Sequence, residues 1–372
     1  MKYNTRSASN ATNQQQKTQK TISTNRSSRE WPGVRGQPSI SDAKIDKLVL
    51  VLPEEHADFD AESLSERLRA VKQGSRVSSK GQAYKSIRRY RLASTASFVV
   101  SWDPRRPEHA RNVVELTFNP SHIETQDIEE VERILAAIWP HGWRSGLRDL
   151  KVYRVDECRD AHGTSVANLI VHKKKSVAQA KVFVRTDRGG EIQTMYVSAP
   201  GAPVTGVVYD QVASDEFKKS VGEKPSGTPE KQLARRIPMK EAADIAIEAT
   251  RFEVRRTFRQ PVTWKDLETD ESSSLNALEV TEIPSDYFLK HRDALFFLFC
   301  DSARLRGVAG TAKLLQRLFP KHGKKKVQEM TAKLSQLSAP WWNNDRRVNV
   351  TEVLRKTPSW QFLKYAVGAE DR

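Results

Sequence analysis

Val113-Val-Glu-Leu-Thr-Phe-Asn-Pro120, followed closely by Thr125-Gln-Asp-Ile-Glu-Glu-Val-Glu-Arg-Ile-Leu-Ala-Ala-Ile138, decides the fold class. The first piece reads as a strand, and Asn119-Pro120 stops it, because a proline offers no amide hydrogen to a ladder. The second reads as a helix, with Thr125 as cap and acids crowding its first turns. Ile128, Val131, Ile134, Leu135 and Ile138 recur on one face of that helix. A strand cut short and a helix with one apolar stripe predict a sheet with helices packed on it.

The same reading extends outward. Lys47-Leu-Val-Leu-Val-Leu52 is a buried strand ended by Pro53, residues 61–73 read as a helix, and Phe98-Val-Val-Ser-Trp102 as another strand. Downstream, strands are predicted at 150–156, 166–171, 180–184, 191–197, 205–209 and 249–256, with a flexible Gly/Pro/Ser/Lys loop at 220–232. Beyond residue 285 the pattern turns helical: 286–306, 310–319, 324–337 and 349–365. Phe288, Leu295, Phe296 and Phe299 read as core of that section. The predicted class is α+β. A largely antiparallel sheet with packed helices covers 41–270, and a smaller all-helical, basic domain covers 280–372. Residues 1–40 are polar and Arg/Ser/Thr-rich, with Ile22 the sole large apolar residue between Asn4 and Glu30, which predicts a disordered basic arm.

Charge narrows the partner. The 62 Lys and Arg against 46 Asp and Glu leave a formal balance of +16, the electrostatic footprint of a polyanion-binding protein. Two cysteines, Cys158 and Cys300, make no disulfide framework and fit a reducing, intracellular setting. No apolar run approaches the ~18 residues of a membrane span, and no secretory h-region is visible, so a cytoplasmic protein without membrane contact is expected. The eight histidines are scattered without HxH or HxxxH spacing, and no zinc, P-loop, dinucleotide or nucleophile-elbow pattern occurs.

Three clusters carry chemistry. In Arg154-Val-Asp156-Glu-Cys-Arg-Asp160, side chains alternate, so Arg154 and Asp156 share a face; Asp160, expected just past the strand end, is placed to approach Asp156. Two close carboxylates hold a hard divalent ion; a surface ion-pair cluster is the rival reading. Tyr196 and Tyr209 lie on successive strands, and a tyrosine hydroxyl attacks a phosphodiester only with a cation beside it. In Arg251-Phe-Glu253-Val-Arg255, the charged residues face one way. In the helical section, Arg304, Arg306, Lys324, Lys325 and Lys326 are the phosphate-contact candidates.

Taken in order, these pieces resemble the replication initiation factor family, the rolling-circle initiators of plasmids and filamentous phages. The matching pieces are the strand ending Phe118-Asn119-Pro120, the helix, Arg154-x-Asp156-x3-Asp160, Thr194-x-Tyr196, Val207-Val-Tyr209-Asp210 and Arg251-x-Glu253, within 45–256. The resemblance implies an enzyme that nicks and rejoins one strand of origin DNA. Tyr196 would be the nucleophile, with Tyr209 second. Asp156, Asp160 and Glu253 would hold Mg2+ or Mn2+, and Arg154, Arg251 and Arg255 would contact DNA. It also implies a bacterial host, with a host helicase and a second copy of the chain as further partners. One member departs from the family pattern: Val197-Ser-Ala-Pro-Gly-Ala-Pro203 stands where a Gly-Ser-Arg-x-Ser turn belongs, so its arginine is missing, and Gln211 replaces the lysine after Tyr209-Asp210. Lys218, Lys219 or Arg235 are the substitutes the sequence offers. The alternative on the same scaffold is a basic DNA-binding, or RNA-binding, protein without catalysis.

Overall fold

The structure is a computed structural model describing residues 38–53, 55, 60–72, 74–106, 112–173, 182–186, 192–198, 202–211, 249–269, 275, 278–284, 286–342 and 349–368. The chain divides into Met1–Arg35 and Gly36–Arg372, and every described element belongs to the second unit. The predicted arm at 1–40 falls almost wholly outside the described residues, as do the loop at 220–232 and the three substitute cations.

The fold is α+β, with one large antiparallel sheet and a helical C-terminal region. The strands are β1 (Ser39–Ile40), β2 (Lys44–Pro53), β3 (Gly74–Arg76), β4 (Tyr84–Arg91), β5 (Ser97–Pro104), β6 (Asn112–Phe118), β7 (Lys151–His162), β8 (Leu169–Lys173), β9 (Val182–Thr186), β10 (Ile192–Val197), β11 (Val204–Asp210), β12 (Ala249–Val262) and β13 (Leu278–Glu282). The main sheet runs β3-β4-β5-β6-β2-β7-β12-β11-β10-β9, with β1 against the end of β7; β13 and β8 pair separately. Every pairing is antiparallel.

Period-two alternation gives the sheet two unlike faces. On one, Leu48, Leu50, Phe98, Val100, Leu116, Phe118, Val152 and Val155 are buried together with Val131, Ile134, Leu135 and Ile138 of helix Ile128–Ile138. Val350, Leu354, Phe362 and Leu363 of the last two helices join the same cluster. Further along that face, Met195, Val197, Val208, Phe252 and Val254 pack with Leu278, Val280 and Trp342. Phe252 anchors its strand there, with its ring 4.5 Å from that of Trp342. Phe296 and Phe299 are buried in a third cluster with Met330 and Leu334, and Phe288 and Leu295 pack against it.

Several predicted boundaries move. The helix is capped by an Asp127–Glu124 exchange instead of by Thr125. The Asp127 carboxylate accepts from the Glu124 and Ser94 amides, at 2.8 Å each, and a 3-10 turn precedes Ile128. A carboxylate receiving two amides outcompetes a hydroxyl at a helix start. The predicted helix 286–306 and its neighbour are Tyr287–His291 and Ala294–Leu318, the latter broken at Gly307, whose φ of 72° only glycine adopts without strain. The strand at 150–156 continues to His162.

Phe252→Ala is expected to lower unfolding free energy by about 4 kcal/mol, read by urea denaturation, with a shift in tryptophan emission as Trp341 and Trp342 lose their neighbour.

Candidate functional site

The face opposite the hydrophobic clusters is where the chemistry-bearing residues meet. Register settles this, because directly opposed residues of antiparallel strands project to the same side. Tyr196 of β10 opposes Val207 of β11, and Val207 opposes Glu253 of β12; Tyr209 opposes Arg251. Across to β7, Arg251 opposes Asp160, Glu253 opposes Cys158, and Arg255 opposes Asp156. Further on, β2 brings Lys44 opposite Cys158 and Lys47 opposite Asp156. Arg154, Asp156, Asp160, Tyr196, Tyr209, Arg251, Glu253 and Arg255 therefore share one face across four adjacent strands.

These groups are organised as ion pairs. Arg251 grips Asp160 with two hydrogen bonds, Nε to Oδ1 at 2.6 Å and Nη2 to Oδ2 at 3.1 Å, and Lys44 Nζ approaches the same carboxylate at 3.5 Å. Arg154 donates to both oxygens of Asp156, at 2.7 and 2.6 Å. Arg255 Nε donates to Glu253 Oε1 at 2.6 Å. Asp156, Asp160 and Glu253 are nevertheless buried, at 2%, 5% and 5% exposure, so each charge depends on its guanidinium. Burial alone would push the Asp160 carboxyl up, but the Arg251 hydrogen bond and charge, with Lys44, hold it below the usual range.

Asn119 extends this network. Its amide donates to Asp46 at 2.8 Å, and Asp46 lies 3.7 Å from Arg251. The same side chain accepts from the Ser121 amide at 2.9 Å. The Asn-Pro that stops β6 thus also braces the central arginine.

The two tyrosines differ. Tyr196 is 37% exposed, and its register places it on the sheet face that carries Glu253 and Arg255. Tyr209 is half-buried. Burial and Glu253 push its phenol up, against the opposing pull of Arg251, which hydrogen-bonds to it. Tyr196 is thus the more exposed of the two. Cys158, between the carboxylates, is driven up to about 12 by burial, which leaves it an inert thiol.

Asp156 and Asp160 do not converge as expected. Both lie within one continuous strand, so four residues at ~3.3 Å each set their Cα atoms about 13 Å apart. Asp156, Asp160 and Glu253 each carry a guanidinium where a divalent ion would need open oxygens. No group of three or more His, Cys, Asp or Glu side chains suited to a metal occurs among the described residues. The three carboxylates do not fit a shared Mg2+ or Mn2+ cage in this arrangement.

The helical candidates are elsewhere. Arg306, Lys324 and Lys325 are exposed. Lys326 lies over the Phe319 ring at 5.8 Å. Arg304 is turned inward: its Nε is out of solvent, and burial lowers its pKa. Sequence reasoning missed Lys44, Lys47 and Asp46. Lys44 and Asp46 precede the apolar run of β2 and carry no motif; Lys47 opens it and reads there only as the strand's first residue.

No family model matches the chain, and no curated protein does. Among solved structures, the chain is similar to the rolling circle replication initiator protein from Geobacillus stearothermophilus, at 11% identity and a TM-score of 0.29. That match covers 59% of this chain and 74% of the other. Both cysteines are free and buried, and among the described residues no helix is long and apolar enough to cross a membrane.

Breaking the central pair tests this electrostatic picture. Asp160→Asn should cost about 3 kcal/mol at pH 7, because it leaves the largely buried Arg251 with only the more distant Asp46 carboxylate. A carboxyl held low in the fold stabilises above the unfolded range, near pH 4, and loses that contribution as pH falls through the folded value. The gap between wild type and Asp160→Asn, read from urea midpoints, should therefore shrink as the pH falls below about 4. A gap independent of pH would mean the pair carries no net charge stabilisation.

Proposed function

We propose that the chain binds DNA across the charged sheet face and initiates rolling-circle replication by cleaving one origin strand with Tyr196. The observation that supports this most strongly is the register. Residues scattered over 154–255 fall on one face, with one exposed tyrosine beside an arginine. The motif order read from the sequence points the same way.

In this mechanism Arg255 does the work of the arginine missing from the turn after Tyr196. Glu253 fixes its Nε, which orients the remaining guanidinium donors toward a phosphate beside Tyr196. Tyr196 Oη forms a bond to phosphorus as the P–O3′ bond breaks. The phenolic proton passes to solvent, and the departing 3′ oxygen takes a proton to become a hydroxyl. The product is a 5′-phosphotyrosine and a 3′-OH able to prime synthesis. Rejoining is the same step reversed. The guanidinium, fixed before the DNA arrives, stabilises the charge that develops on the phosphate. The exposed Arg306, Lys324 and Lys325 hold flanking phosphates without reading sequence. A second copy of the chain and a host helicase are further partners of this reading.

The test uses supercoiled DNA carrying the chain's own gene and flanks, with Mg2+, with Mn2+ and with EDTA. The expected result is a detergent-resistant protein–DNA adduct and open-circular DNA. Tyr196→Phe should lower adduct yield by about 100-fold or more, and Tyr209→Phe should retain it. Salt-sensitive DNA binding without an adduct under any condition would assign the face to binding alone.

A further inference from the structure

The charged face continues, past the tyrosine–arginine cluster, into an open cavity of about 1450 Å3. Its walls include Tyr84, Arg105, Arg106, Glu115, Tyr153 and Arg259. Two features of the backbone build it. The β12–β7 ladder loses register between Thr257 and Val262, and Arg259 lies in that irregular stretch. On the other side, the Arg105 guanidinium is pinned by the carbonyls of Gln82 and Ser79, at 3.1 and 2.9 Å, and by the Ser79 hydroxyl at 3.0 Å.

Glu115 joins the cavity to the ion-pair ladder. Its carboxyl, pushed up by burial, feels Lys47 and Arg154 of the ladder, and it acts on Tyr84 within the cavity, as Tyr153 does. Along β12, Arg259 lies four residues beyond Arg255, a span of about 13 Å. A strand held at Tyr196 and Arg255 that follows β12 reaches the cavity within a few nucleotides.

The lining has a definite chemistry. Among the described residues its charged lining is Lys80, three arginines and Glu115, and Tyr84 and Tyr153 form part of its wall. Guanidiniums suit a phosphodiester, tyrosine faces suit a base, and a recess suits a base that has left a duplex. We propose that this cavity holds an unpaired nucleotide of the DNA strand crossing the sheet, its base against Tyr84 and Tyr153 and its phosphate on Arg106 and Arg259. This rests on the proposed DNA-binding face and adds to it a subsite selective for single strands.

The experiment measures binding of the full-length chain to a labelled single strand of about 15 nucleotides, and to the same sequence as a duplex, at one ionic strength. Two variants are compared with wild type, each checked for an unchanged thermal melt: Tyr153→Ala, which alters no charge, and Arg106→Ala with Arg259→Ala. Both should weaken single-strand binding by roughly tenfold, and Tyr153→Ala should leave duplex binding within about twofold. Free dAMP should compete only weakly, since it lacks the rest of the strand. Unchanged single-strand binding in both variants, with wild type binding well, overturns the cavity assignment and leaves the proposed function standing. Equal loss of single strand and duplex in Tyr153→Ala overturns its selectivity. Tight dAMP binding that the variants lose, without loss of the strand, makes the ligand a free nucleotide and overturns the proposal. Wild type that binds no DNA removes both readings together.

Discussion

Arg251 and Asp160 stand opposite each other on the adjacent strands β12 and β7, and the site depends on their pairing. Their side chains are 16% and 7% exposed. A carboxylate at that depth without a partner would take up a proton or pull the strands apart to reach water. A one-residue slip of β12 against β7 would put Phe252 opposite Asp160 and strand both charges, because alternation moves every side chain to the other face. The ion pair and the hydrophobic clusters on the far side thus enforce the same register. That register is what lines up Tyr196, Glu253 and Arg255.

The same constraint shapes the electrostatics of this face. The sheet's carboxylates are spent on fixing arginines, and a guanidinium has five donors, of which a carboxylate takes one or two. Arg255 gives Nε to Glu253, so the pair is a positioned cation more than a neutralised one. Arg154 is committed more fully, with both Asp156 oxygens engaged. The Lys47 ammonium is disfavoured by burial and by Arg154, with Asp156 and Glu115 pulling the other way.

Much of this was legible in the sequence. The continuous apolar run in Lys47–Leu52, the alternation in Val113–Phe118 and the apolar stripe from Ile128 to Ile138 are strong signals, and each forms the element it implies. The shared face of Arg154 with Asp156, and of Arg251 with Glu253 and Arg255, follows from period two alone. What period two cannot supply is partnership across strands. Which of the nearby arginines neutralises Asp160 depends on β7 pairing with β12, some 90 residues away in the chain. The length of β7 was hidden too, because the buried polar run Glu157-Cys-Arg-Asp160 reads as a strand end when its charges are solvated, and as a strand only when they are paired. Strand Tyr84–Arg91 was missed for a related reason: four of its eight residues are Lys or Arg, and its buried Tyr84, Ile87 and Tyr90 recur every third residue, so it shows no period-two signal.

The central claim is that DNA lies across the charged sheet face. Ultraviolet crosslinking of the full-length chain to a thymine-rich single strand, with the crosslinked peptides mapped by mass spectrometry, tests it most directly. Crosslinks are expected in the peptides that carry Tyr196, Tyr209 and residues 251–259. Crosslinks confined to the helices between residues 286 and 335, with none on the sheet, would contradict it.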